Sequence, residues 1–131
     1  MNLHLLEELL AVCRLDAAAE LPEGFRGGGF WSITRTQSEL SLVCAEELAP
    51  AGARIEHGWR CLMVKGPLDF SLVGILAELA GVLAGAGVSI FAISTYDTDY
   101  LLVKSADLEA ALAALRKAGH RVGGMPERDE G

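Results

Sequence analysis

From Ser71 to Lys104 the chain changes its hydrophobic period twice, and few folds accommodate that succession. Leu72, Ile75, Leu76, Leu79, Val82 and Leu83 recur at spacings of three and four, one face of an α-helix, with Gly85 and Gly87 as natural terminators. Asp69 and Ser71 are both placed to cap the first turn. The run Val88 to Tyr96 is almost continuously apolar. It suits a central strand covered on both faces, or on one face with a partner subunit on the other. Asp97 and Thr98 make a tight turn into a second strand, Asp99 to Lys104.

The flanks extend the pattern. Arg60 to Lys65 (RCLMVK) is a strand ending at Gly66 and Pro67. After Lys104, Ser105 or Asp107 caps a helix with Leu108, Ala111, Leu112 and Leu115 inward; Gly119 ends it before a short strand, HRV. The order from Arg60 is strand, helix, strand, strand, helix, strand, the βαββαβ plan of an α+β, ferredoxin-like antiparallel sheet with both helices on one face.

The first half reads as a reduced version of the same unit. Leu5 to Leu15 fits both a helical and an alternating spacing, and a strand from about Leu9 to Leu15 is favoured. Asp16 to Gly29, with Pro22 and three consecutive glycines, is a connection; no Lys and Ser/Thr follow to make it a phosphate loop. Phe30–Thr36 and Glu39–Ala45 form a hairpin. Glu46 to Gly58 is a loop, with a short strand expected at Arg54 to Glu56. The expected division is a degenerate half over 1–58 and a complete unit over 59–131.

Composition narrows the function. Of 131 residues, 51% are hydrophobic and 22% charged, enough apolar surface for a folded core. A net charge of -7 with 11 scattered Lys and Arg argues against a nucleic-acid surface or an anionic membrane as partner. The longest apolar stretch, Leu72 to Ile93, is broken by Glu78 and by glycines, and MNLHLLEELLAVC lacks the features of a signal peptide, so a cytoplasmic chain is expected. Cys13, Cys44 and Cys61 are far apart, without CxxC or histidine at ligand spacing, so neither a metal nor a disulfide framework is expected; each reads as a small buried hydrophobe. His4, His57 and His120 are scattered and form no nucleophile motif. No cofactor and no catalytic residue are expected.

The segment VKGPLDFSLVGILAELAGVLAGAGVSIFAISTYDTDYLLV resembles the ACT-domain family, particularly the tandem regulatory domains of aspartokinases and the cytosolic arginine-sensing proteins of animals. The similarity runs from Trp59 to about Val122 and rests on GPLDFSLVGIL and FAISTYDTDYLLV in this order. FWSITRTQSELSLVCAEE is similar, more loosely, to small bacterial proteins with two ACT-like halves. The resemblance implies that a small effector, an amino acid in most members, binds where two such units pack side by side. The residues that match are Asp69, Phe70, Ser71, Leu72, Val73, Gly74 and Ile75 at the helix start, and Ser94, Thr95, Tyr96, Asp97, Thr98 and Asp99 in the facing hairpin. The first half lacks an equally clear DFSLVGIL loop, so the other wall of the pocket comes from that half or from a second copy in a homodimer.

The residue types suit this. A helix N-terminus presents unbonded N–H groups and the positive end of the macrodipole to a carboxylate, Gly74 permits close approach, and Asp69 or Asp97 can face an α-ammonium group. Structural roles compete: Asp69 and Ser71 as caps, Gly74 as a packing contact, Thr95 to Asp99 as a hairpin turn. Two functions follow: a regulatory module binding an amino-acid effector and acting on a protein partner through a second state, or a structural interaction protein with an empty pocket.

Overall fold

The computed structural model describes residues 1–27, 29–65 and 74–124. Within them the order is β1 (Asn2–Leu5), β2 (Leu10–Leu15), β3 (Ser32–Arg35), β4 (Leu40–Ala45), β5 (Arg54–Val64), α1 (Ile75–Gly85), β6 (Ile90–Ser94), β7 (Asp99–Lys104), α2 (Leu108–Lys117) and β8 (Arg121–Gly123). Two compact units result: one is Glu8–Trp59, the other Met1–Glu7 with the chain from Arg60 onward.

The larger unit is the α+β architecture expected of the second half, with one addition. Its strands lie in the order β8, β1, β5, β7, β6, and β1 pairs antiparallel with β5 and parallel with β8. Leu3, Leu5, Leu62, Val64, Leu101 and Val103 point to one face of this sheet and meet Leu79 and Leu83 of α1 and Ala111, Leu112 and Leu115 of α2 in a single core. Both helices therefore cover the same face. The alternation of the strands and the three-four spacing of the helices each bury one side, and burying a Leu side chain stabilises by roughly 1.5–3 kcal/mol. The outer groove between the helices, about 350 Å³, is lined by Val82, Gly85, Ala86, Ala114, Lys117 and Ala118.

The smaller unit pairs β3, β4, β2 and the first part of β5, all antiparallel. Its core is Ala11, Cys13, Phe25, Leu42 and Cys44. The hairpin between β3 and β4 closes as expected: Thr36 N donates to the Glu39 carbonyl at 2.9 Å, and Thr36 Oγ1 accepts from Ser38 N and Glu39 N. A turn of 3-10 helix, Phe25–Gly27, lies in the connection, and its Phe25 is buried. Phe25 meets Trp31 edge to face at 5.0 Å.

Four sequence expectations are corrected. Arg54 to Glu56 and Arg60 to Val64 are not separate strands but parts of one eleven-residue strand, which runs on through Gly58 (φ +80), where the register with β2 shifts and the Gly58 N–H donates to Glu46 Oε2 at 2.7 Å. The helix expected from Ser71 begins at Ile75, since Gly74 at φ +84 takes a left-handed conformation that interrupts helical continuity. The apolar run read as a central strand ends in an edge strand: among the described residues β6 pairs β7 alone. Finally, α2 begins after a 3-10 turn, Ser105–Asp107, and Asp107 stands at its N-cap without a side-chain cap bond.

Candidate functional site

The chain leaves β5 at Val64 and re-enters the described structure at Gly74, where it turns into α1. Gly74 is in the left-handed region (φ 84, ψ 0), and its carbonyl accepts from Glu78 N at 2.8 Å, the first hydrogen bond of the helix. The amides of Ile75, Leu76 and Ala77 precede that bond, so these are the groups the helix start offers to an acceptor. Of Phe70 to Gly74, whose amides are expected to do this, only Gly74 is among the described residues. Asp69, Phe70, Ser71, Leu72 and Val73 lie outside the described residues. Gly74 is exposed, and among the described residues nothing lies within 4 Å of where a Cβ would stand. Close packing therefore does not explain this glycine; its backbone angle does.

The hairpin ends in a four-residue connection rather than a two-residue turn. Ser94 and Asp99 are the last paired residues, and Thr95 N donates to the Thr98 carbonyl at 2.8 Å. Thr95 Oγ1 donates to the same carbonyl at 3.1 Å and accepts from Thr98 N at 3.4 Å. Ser94 Oγ donates to Asp99 Oδ1 at 2.6 Å, which commits that carboxylate oxygen internally. Thr98 is 7% exposed, and its hydroxyl donates to the Val64 carbonyl at 2.5 Å. That bond fastens the hairpin tip to the end of β5, the place from which the chain departs towards α1. Tyr96, 81% exposed, and the exposed Asp97 project from the tip.

Of the predicted residues, Gly74 and Ile75 stand at the helix start and Ser94 to Asp99 form one tip, with Thr98 turned inward as the anchor. The sequence marks Thr98 as a turn former and a ligand candidate, and no sequence signal discloses that its partner is a backbone carbonyl 34 residues away.

The three histidines do not meet one another in the contacts described. His57 Nδ1 lies 3.4 Å from Glu46 Oε2. His120 Nε2 lies 3.4 Å from Glu78 Oε2, and its Nδ1 lies 3.1 Å from the Met1 amino nitrogen. The ring of His4 lies against Gly124. Among the described residues no group of three or more His, Cys, Asp or Glu gathers as a metal would require. No described helix is long and apolar enough to cross a membrane.

Comparison with known proteins places this arrangement. The ACT-domain profile matches residues 54–117, and a profile of an N-terminal domain matches residues 8–52. A crystal structure of a protein from Agobacterium tumefaciens is 40% identical, with a TM-score of 0.87, over 93% of this chain and 91% of that one. The chain belongs to the ACT-domain family. Among curated relatives of this ACT protein, the human cytosolic arginine sensor for mTORC1 subunit 1 is 37% identical over 60 residues, 45% of this chain. The match spans only 18% of the sensor's own length. The regulatory subunit of aspartate kinase from Thermus thermophilus shares the fold at a TM-score of 0.60 and 15% identity, over 86% of this chain and 93% of that one.

Proposed function

We propose that this ACT protein is a regulatory module that binds an amino acid or a similar small metabolite and has no catalytic step of its own. The ligand is held by the segment Asp69 to Ile75 and the tip Ser94 to Asp99. The observation that carries this reading is the Thr98 hydroxyl bond to Val64 O, because it holds the tip at the point where the chain sets off towards the unbonded amides of Ile75, Leu76 and Ala77. A carboxylate accepts from those amides, while Asp97 faces the α-ammonium group.

The module acts in the cytoplasm as a homodimer. The edge strand β6 supports this, since Ile90 to Ser94 carries no charge and no proline to discourage pairing with a second copy. Such pairing brings a second hairpin tip towards the site and supplies its other wall. Ligand binding shifts an equilibrium by its differential affinity for two states, which a regulated protein partner then reads. The relatives named as an arginine sensor and as an aspartate kinase regulatory subunit fit this reading.

A thermal-shift series with the twenty amino acids tests it. At least one raises the midpoint in a concentration-dependent way, by the equivalent of about 2.7 kcal/mol at a hundredfold excess over Kd. Asp97→Ala abolishes that rise while leaving the free protein's midpoint in place. If no amino acid shifts the midpoint, and sedimentation still reports a dimer that Ile93→Lys splits, the protein is a structural interaction module with an empty pocket.

A further inference from the structure

Two of the three cysteines, separated by the whole β3 hairpin in sequence, meet in the core of the smaller unit. The register of β2 with β4 pairs Ala11 with Cys44 and Cys13 with Leu42, which sets Cys13 and Cys44 diagonally on one face of the ladder. Both belong to the cluster around Phe25, at 1% and 0% exposure. Each thiol therefore has the other as a diagonal neighbour inside the same buried cluster. Cys61 is on β5 and belongs to neither strand of this ladder.

We propose that Cys13 and Cys44 are an oxidation site, a thiol pair that a hydroperoxide converts to a cross-strand disulfide. The Cys44 thiolate attacks the distal peroxide oxygen; the O–O bond breaks, alcohol leaves, and a sulfenic acid remains on Cys44. The Cys13 sulfur then attacks that sulfur, the S–O bond breaks, and water leaves. The net change is two thiols and one hydroperoxide to one disulfide, one alcohol and one water, the two electrons passing from sulfur to the peroxide oxygens.

The fold sets when this happens. Burial pushes the Cys13 thiol up to about 12 and raises Cys44 as well, so at neutral pH the folded unit holds two thiols, which are poor nucleophiles. Diagonal neighbours on antiparallel strands stand about 7–8 Å apart at Cα, while a disulfide spans at most about 7 Å. Closing the bond therefore draws β2 and β4 together. Oxidation waits for an opening of the unit that admits the peroxide and restores ordinary thiol acidity. The bond then records that opening covalently and ties two strands of the N-terminal unit together.

The full chain is treated with tert-butyl hydroperoxide at neutral pH, with and without urea below the unfolding transition, quenched by alkylation and mapped by mass spectrometry. The expected product is 2 Da lighter than the reduced chain, with the Cys13 and Cys44 peptides linked and Cys61 alkylated. Its rate rises in proportion to the opened population as urea is added. Cys13→Ala removes the link and leaves Cys44 to proceed to sulfinic acid. Disulfides involving Cys61, links between chains, or sulfinic acid on both Cys13 and Cys44 of the parent protein would each overturn the proposal. If Cys13→Ala does not fold, the peptide map of the parent and of Cys61→Ala decides it.

Discussion

Replacing Thr98 by valine removes one hydroxyl and almost nothing else, and so isolates the bond that fastens the hairpin tip. The side chain keeps its volume and its β-branch, so packing and strand preference are preserved. What is lost is a buried hydrogen bond of 2.5 Å to the Val64 carbonyl. Its net contribution is about 0.5–1.5 kcal/mol, and a desolvated carbonyl left with one partner fewer brings the total to roughly 1–2 kcal/mol. At about 2.1 cal/mol/K per residue, a 131-residue chain unfolds with an entropy near ~275 cal/mol/K, so ~1.5 kcal/mol lowers the midpoint by about 5 °C. Thr95→Val is the matched control: its hydroxyl bonds within the same turn at the exposed surface, where the loss is a few tenths of a kcal/mol. Calorimetry of the two variants and of Thr98→Ser, which keeps the hydroxyl, makes the test. The reasoning fails if Thr98→Val unfolds within a degree of the parent, or if Thr95→Val costs as much.

Other residues give sharper or broader tests. Gly124→Ala places a Cβ 2.3–2.9 Å from the His4 ring at a backbone φ of 73, and a loss of about 1–3 kcal/mol is expected in urea unfolding; His4→Ala in the same chain recovers the part due to the clash and leaves the part due to the angle. Gly74→Ala meets no neighbour among the described residues, so its cost is the left-handed angle, about 1 kcal/mol, and the helix start shifts with it in amide exchange. Leu115→Ala empties part of the core beneath both helices and costs about 2–5 kcal/mol. Cys13 has its folded pKa raised to about 12 from 9.0, so its contribution to stability is complete below 9.0 and declines as pH climbs towards 12. Cys13→Ala flattens the alkaline limb of stability against pH, measured by denaturant unfolding.

The parts of the fold legible in the sequence are those that repeat a local period. The inward faces of both helices and the β6–β7 hairpin followed from spacing alone, as Leu79, Leu83, Ala111, Leu112 and Leu115 in one core demonstrate. Position within the sheet did not follow. Ile90 to Ile93 is as apolar as a central strand, but hydropathy reports which surfaces are covered and carries no information on how many edges are paired. Asn2 to Leu5 does alternate, yet four residues are too short to separate from the helical spacing of LLEELL, and their partners lie some sixty residues on. Within the candidate site, residue types such as Asp97, Tyr96 and Gly74 were legible, whereas the anchoring role of Thr98 and the meeting of Cys13 with Cys44 depend on register. Register is set by the whole ladder, so no window of sequence contains it.

The seating of β1 between β5 and β8 has a consequence for how the chain acquires its structure. Among the described residues β8 pairs β1 alone, so β8 is held by a strand made long before it. During synthesis Asn2–Leu5 emerges early but has no neighbour until β5 appears, and its second flank stays open until Arg121–Gly123 has been made. The larger unit is thus discontinuous in time as well as in sequence, and closing it joins strands more than a hundred residues apart. Such non-local pairing slows folding and prolongs the exposure of unpaired edges. Glu8 to Trp59 can be complete before that closure, and a chain released early from the ribosome would carry the smaller unit formed and the larger one unfinished.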